Sequence, residues 1–318
     1  MAYVLITGGA GFIGANLTRR LLEQGHRVAV LDTFCTGRRE NLCGVEAEVV
    51  VQDVREALQG SYDWVFHLAC PASPPHYQAD PLFTLTTAFD GTRQVLELAR
   101  HCGARVLVAS TSEVYGDPQV HPQPESYWGH VNPVGPRSCY DEGKRAAETL
   151  ALLYRQQFGV DVRLVRIFNT YGPYMDSMDG RVISNFITQA LQGKPLSIYG
   201  EGGQTRSCQY IDDLLQAFLL YMEKEPKELE AFFSARGRTL PVLNLGNPQE
   251  VSIRHIAETV LSLIPESSSS LSFKPLPVDD PKRRKPDISW AQACLGWSPR
   301  VSLTDGLART ITYFRNRL

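Results

Sequence analysis

The chain is 318 residues long and carries 32 Lys and Arg against 34 Asp and Glu, a formal net charge of −2. That balance excludes bulk electrostatic attraction to nucleic acid, and the length allows one large domain or two intimate ones around a real core. No apolar run reaches membrane-spanning length, no signal peptide precedes Tyr3-Val4-Leu5, and seven cysteines without a C-x-x-C pair favour reduced thiols, so a soluble cytoplasmic chain with no membrane partner is expected.

In chain order, residues 3–6 predict a short buried strand, followed at once by Thr7-Gly8-Gly9-Ala10-Gly11-Phe12-Ile13-Gly14 and a helix with Phe12, Ile13, Leu17, Leu21 and Leu22 on one side. Strand, glycine turn and helix are the context of a dinucleotide site. Gly8 and Gly11 let the backbone turn and approach a pyrophosphate. Gly14 lets the helix pack close to the sheet, and the helix start at Phe12 and Ile13 attracts phosphate charge. The second strand, 27–31, ends in Asp32, whose carboxylate would accept both ribose hydroxyls and repel a 2′-phosphate, favouring NAD over NADP. Arg38 and Arg39 pull the other way. Asp53, next to Val54, would receive the adenine amino group or cap a helix.

Further strands are expected at 48–51, 64–68, 105–109, 161–168 and 242–245, with helical stretches at 81–101 and 181–192. The alternation predicts an α/β Rossmann-type doubly wound parallel sheet with right-handed crossovers. A smaller C-terminal α/β substrate-binding domain would follow. The expected division is 1–172 with 208–260 returning to it in part, against 173–207 and 261–318. Ligands in such a sheet bind beyond the strand carboxyl ends, where Thr7, Asp32, Asp53, Leu68, Ala69, Ser110 and Thr111 fall.

Tyr140 and Lys144 stand four apart in Ser-Cys-Tyr-Asp-Glu-Gly-Lys, so one helix face would carry phenol and ammonium into one cleft. The ammonium is expected to lower the tyrosine pKa toward that of a general base, with the Thr111 hydroxyl holding the substrate oxygen in line. The basic run Lys282-Arg283-Arg284-Lys285 reads either as a substrate-anion loop or as a solvated one. The histidines form no metal spacing, no metal is expected, and His67 reads as hydrogen-bonded structure. Ser110 and Ser112 lack a hydrolase-type His and Asp arrangement.

The loop Ser110-Thr111-Ser112-Glu113-Val114-Tyr115-Gly116-Asp117-Pro118 resembles the extended short-chain dehydrogenase/reductase family that acts on nucleotide sugars, and the resemblance runs along essentially the whole chain. Ala72-Ser73-Pro74-Pro75, Tyr127-Trp128-Gly129, Gly135-Pro136-Arg137-Ser138-Cys139-Tyr140, Arg166-Ile167-Phe168-Asn169-Thr170 and Gly180-Arg181-Val182 are similar to the branch that decarboxylates UDP-glucuronate. Ala88 departs from the family's usual asparagine and Cys208 from its phenylalanine.

The resemblance implies catalytic NAD, oxidation at the sugar C4 with Tyr140 as base, loss of carbon dioxide from the β-keto acid, and re-reduction to UDP-xylose. Ser112-Glu113 replaces the Asp-Glu pair of family dehydratases, which argues against dehydration. Glu113 is implied to assist decarboxylation, and like-charge repulsion of the substrate carboxylate is one way it would do so. Arg284 matches an active-site arginine that would bind that carboxylate. Arg206, Asn169 and Asn185 are implied to hold the diphosphate, Arg181 to contact the substrate, and Tyr199 to line the uridine pocket. Family members pair as homodimers through a four-helix bundle of the helices at 81–101 and 138–158. A UDP-sugar 4-epimerase and a silent NAD-sensing module are the competing readings.

Overall fold

The computed structural model describes residues 1–275 and 284–317. A seven-stranded sheet forms the centre. It contains β1 (Tyr3–Thr7), β2 (Arg27–Asp32), β3 (Glu48–Val51), β4 (Trp64–His67), β5 (Arg105–Thr111) and β6 (Val162–Ile167), and is completed by the late strand Val242–Leu245. The spatial order is late strand, β6, β5, β4, β1, β2, β3, and every pairing is parallel. The order reverses between β1 and β4, the point where a doubly wound sheet opens a crevice for a ligand.

Period-two alternation explains the two core layers. In β1, Val4 and Ile6 join the layer that holds Leu17 and Leu21 of α1 (Phe12–Glu23), while Leu5 joins the opposite layer with Val95, Leu96 and Ala151. The helical stretch expected at 81–101 is three pieces. After α2 (Pro74–Ala79) come α3 (Pro81–Thr86), a π-helical turn at Thr87–Gly91, and α4 (Thr92–Cys102). Ala88 is fully buried in that turn, and a Cβ built on Gly143 would lie 3.0 Å from its methyl. The small residue at 88 and the glycine at 143 therefore let this segment pack closely on α5 (Ser138–Phe158), the helix that carries Tyr140 and Lys144.

Beyond β6 the chain forms β7 (Thr170–Tyr171), α6 (Val182–Leu191), β8 (Leu196–Tyr199), β9 (Thr205–Ser207), β10 (Gln209–Tyr210) and α7 (Ile211–Glu223). The helix α8 (Pro226–Ser234) then leads to the late strand, β11. After it, β12 (Glu250–Ser252) pairs antiparallel with β9, and α9 (Ile253–Leu263) packs on α6. Residues 250–260 thus pack with the second lobe, whereas α7 and β11 pack with the central sheet. The strand β13 (Leu271–Lys274) pairs with β8, and α10 (Ser289–Leu295) and α11 (Leu303–Arg315) close the fold. Among the described residues no helix is long and apolar enough to cross a membrane.

Candidate active site

A cavity of about 670 Å³ runs along the carboxyl ends of the strands, from the glycine turn to the second lobe. At its near end Gly8 adopts φ +73°, and a Cβ there would sit 2.8 Å from the Ala69 amide nitrogen. A Cβ on Gly14 would meet the Gly8 carbonyl oxygen and lie 2.5 Å from the Gly9 Cα. Both positions are closed to side chains by backbone. Gly11 precedes α1 without giving it a side-chain cap, so the first amides of that helix, around Phe12 and Ile13, face the cavity with no side-chain acceptor.

Asp32 is 8% exposed. Its carboxylate accepts from the Ala10 amide at 2.9 Å and the Phe34 amide at 2.8 Å. Burial raises its pKa and those two amides pull it back. The oxygens keep lone pairs for a further donor. The two arginines that opposed an NAD preference are both engaged: Arg38 pairs with Asp176 at 2.9 Å, and the Arg39 guanidinium lies 4.0 Å from the Phe34 ring centroid. An uncapped helix start and a buried acid at the end of β2 fit a dinucleotide. Val54, Leu68 and Ala69 line the same end.

Asp53 caps a turn and not a helix. It accepts from the Arg55 amide at 2.9 Å and grips the Arg55 side chain at 2.7 Å, and the side-chain bonds of Arg55 hold it below the ordinary carboxylate range. His67 bridges Thr7 at 2.8 Å and Thr92 at 3.1 Å. Burial drives its pKa down to about 3, so it is a neutral structural link between strand and helix. No group of His, Cys, Asp and Glu suited to a metal occurs among the described residues.

Tyr140 and Lys144 are 6% and 5% exposed and face the cavity with Thr111. Lys144 donates to the Ala109 carbonyl at 2.9 Å, and its nitrogen lies 5.9 Å from the Tyr140 ring centroid. The expected lowering of the tyrosine pKa is not seen. Burial of the phenol, with Cys70 and Glu113 nearby, raises it well above the ordinary value, while a hydrogen bond with Thr111 and the charge of Arg181 oppose the rise. The reason is geometric: the ammonium is spent on a carbonyl, while the phenolate would have to form in a desolvated site. Tyr77 stacks on Tyr140, ring centroids 5.2 Å apart and planes 5° from parallel, which fixes the phenol's direction.

Glu113 follows Thr111 in a 3₁₀ turn, and its amide donates to the Thr111 hydroxyl at 3.2 Å. Its carboxylate lies between two guanidiniums, Arg137 at 2.5 Å and Arg284 on the other oxygen. Burial pushes its pKa up, but Arg284, Arg137 and Arg206 outweigh burial and the result is a lowered value. Two flanking cations remove the basis for like-charge repulsion of a substrate carboxylate by Glu113. The turn instead forms a guanidinium cradle already holding one carboxylate.

Arg284 comes from 171 residues away in sequence. Its place is set by backbone pairing with a buried glutamine: Gln123 donates to the Lys285 carbonyl at 2.9 Å, and its side chain accepts from the Lys285 amide at 2.8 Å. Arg284 is 5% exposed, so the solvated-loop reading does not hold for it; Lys282 and Arg283 lie outside the described residues. The sequence reading assigned no role to Arg137, Tyr77 or Asp141. The first two line the cavity. Arg137 stands three residues before Tyr140, a spacing that places it at the start of the same helix.

At the far end Asn169, Arg181, Asn185, Tyr199 and Arg206 all line the cavity. Arg181 is paired with Asp179 at 2.6 Å, and Asn185 donates to the Gly180 carbonyl at 3.0 Å. Cys208 is buried and lines the same end.

The fold and this site define an NAD-linked enzyme of nucleotide sugars, and residues 4–232 match the NAD dependent epimerase/dehydratase family, to which the chain belongs. Within it the chain is 52% identical to UDP-glucuronic acid decarboxylase 1 of Xenopus tropicalis over 99% of this chain and 72% of that protein. It is 48% identical to UDP-glucuronic acid decarboxylase 3 of Arabidopsis thaliana, covering 99% and 90%. Among solved structures it resembles UDP-glucuronic acid 4-epimerase from Bacillus cereus in complex with UDP-glucuronic acid and NAD, with a TM-score of 0.84 and 27% identity over 99% of this chain and 100% of that one.

Proposed function

We propose that this chain converts UDP-glucuronate to UDP-xylose and carbon dioxide with NAD as a catalytic cofactor. The observation that carries the reading is Glu113 held by Arg137 and Arg284 beside Thr111 and Tyr140: the reacting end of the cavity is built to hold a carboxylate. The decarboxylase relatives are about half identical along the chain, against 27% for the uronate epimerase, and this difference favours the decarboxylase over the epimerase.

Gly8, Gly11 and Gly14, the first amides of α1, Asp32, Asp53 with Val54, and Leu68 with Ala69 would hold the NAD, which supplies hydride acceptance at the sugar C4 and its return. Tyr140 would take and later restore the proton of the C4 hydroxyl, its phenolate favoured by the charges of Lys144 and of the oxidised cofactor against the burial that raises its pKa, and Thr111 steadies that oxygen. Lys144 holds the Ala109 end of the site and offers its remaining donors to the cofactor ribose. Arg284 and Arg137 orient the substrate carboxylate. Once C4 is a ketone, the C5–C6 bond breaks, its electron pair moves into the enolate, carbon dioxide leaves and C5 takes a proton. Arg206, Asn169 and Asn185 hold the diphosphate, Arg181 and Tyr199 the rest of the nucleotide. In this reading residues 173–207 and 261–318 form the substrate lobe, with 250–260 packed against them.

The reading includes a homodimer in a reducing, cytoplasmic setting. Leu82 and Leu85 on α3, Phe89 in the π turn, and Leu153 and Phe158 on α5 are exposed apolar side chains on the helices expected to form a four-helix bundle. All seven cysteines are free. The decisive test incubates the protein with UDP-glucuronate and NAD and follows products by mass spectrometry. Carbon dioxide and UDP-xylose are expected. An unchanged mass with altered sugar stereochemistry would point to the epimerase, and no turnover would revive the sensor reading.

A further inference from the structure

Behind the Arg137–Glu113–Arg284 cluster lies a second carboxyl to which the mechanism above gives no role. Asp141 follows Tyr140 on α5, is 6% exposed, and leaves its Oδ1 atom buried with no hydrogen-bond partner. A buried carboxylate oxygen without a partner is costly, and the cost falls when the group is protonated. The charged and titratable groups around it are Glu113 from the turn after β5, Arg137 at the start of its own helix, Arg284, Glu142 and Cys139 beside it in sequence, and Tyr77 on α2. The helix α3, which also packs on α5, brings no titratable side chain. Burial and the charge of Glu113 hold the Asp141 pKa up at about 7 against the pull of Arg137 and Arg284.

The arrival of a substrate carboxylate changes the balance. The substrate carboxylate then joins Glu113 as a second anion beside Arg137 and Arg284. An ionised Asp141 would add a third negative charge to a desolvated site, repelled by both of the others. We propose that Asp141 takes up a proton when a substrate carboxylate enters the Arg137–Glu113–Arg284 cluster, and so keeps both guanidiniums available to that carboxylate. Asp141 is thus a positioning residue: it touches neither substrate nor cofactor and acts through the charge of the cluster. This uptake is separate from the proton that C5 gains when the carboxylate becomes carbon dioxide. Once carbon dioxide has left and C5 has taken its proton, the anion that held the proton on Asp141 is gone and Asp141 can ionise again.

This inference rests on the reading of the site as one for UDP-glucuronate, and the test separates the two. Turnover is blocked in holoenzyme carrying Tyr140→Phe, and the Kd values of UDP-glucuronate and UDP-xylose are measured by calorimetry from about pH 6 to about pH 9. The expected result is a UDP-glucuronate Kd that rises about tenfold per pH unit above about pH 7, and a UDP-xylose Kd that does not. Adding Asp141→Asn should flatten the UDP-glucuronate profile. A slope that survives Asp141→Asn, or no slope in its absence, overturns the inference while leaving the substrate assignment intact. If the Asn variant does not fold, the two-ligand comparison in Tyr140→Phe alone still decides, because equal profiles for both ligands refute the uptake. No binding of UDP-glucuronate at all would overturn the functional reading itself and this inference with it.

Discussion

Replacing Glu125 with Gln should make the protein's stability less dependent on pH, by an amount the structure defines. Glu125 is 3% exposed. One carboxylate oxygen accepts from the Asn244 amide at 2.9 Å, and the other has no partner. Burial raises its pKa from 4.5 to about 7, with the Asn244 amide and Arg166 opposing and Asp287 adding to the rise. The folded state therefore binds this proton more tightly than the unfolded chain. The resulting stabilisation is fully present below the unfolded value and is lost as pH rises toward the folded one. A separation of about 2.5 units at 1.36 kcal/mol each gives a loss of about 3 kcal/mol between about pH 4.5 and about pH 7.5. Gln keeps the acceptor for Asn244 and cannot ionise. Urea unfolding of both proteins at several pH values measures the difference. The variant's stability relative to wild type should grow by about 3 kcal/mol over that interval. A difference that stays constant with pH would refute the claim that this carboxyl is held protonated by burial.

Four other outcomes follow from the same geometry. Glu113→Gln should slow release of labelled carbon dioxide by about 100-fold or more, and by taking from the buried Arg284 the carboxylate it pairs with should cost about 3 kcal/mol in a denaturant titration. Asp32→Asn should weaken NAD about 10- to 100-fold through the loss of charge-assisted bonds to ribose, and should narrow the preference over NADP, both read by fluorescence titration. Gly14→Ala places a methyl 2.5 Å from the Gly9 Cα, against backbone that cannot rotate away; NAD affinity should fall at least about tenfold while the far end of the cavity still binds UDP. Leu82→Glu combined with Leu153→Glu should convert a dimer to monomers in sedimentation, and a wild-type monomer would remove the four-helix bundle from the reading.

The glycine turn, the acid ending β2, the alternating strands and the Tyr-x-x-x-Lys pair are local patterns, and each was legible because a local backbone requirement selects the residue. Gly8 needs a positive φ, Gly14 tolerates no Cβ, and β-strands that are buried on both faces must be apolar throughout. The return of residues 242–245 to the sheet was legible for the same reason. What escaped the sequence was charge and contact between distant segments. Nothing local states that Arg284 pairs with Glu113 across 171 residues, that Arg137 completes the cradle, or that Tyr77 stacks on Tyr140. The spacing of Tyr140 and Lys144 reports that an ammonium is near but not how deeply the phenol is buried, and burial sets the direction of the Tyr140 pKa. Helix and strand periodicity are properties of neighbours along the chain, whereas desolvation and ion pairing depend on which segments the tertiary fold brings together. The sequence by itself therefore determined the sheet, the cofactor crevice and the class of chemistry. Only the tertiary structure decided how the buried carboxylates and guanidiniums share their charge.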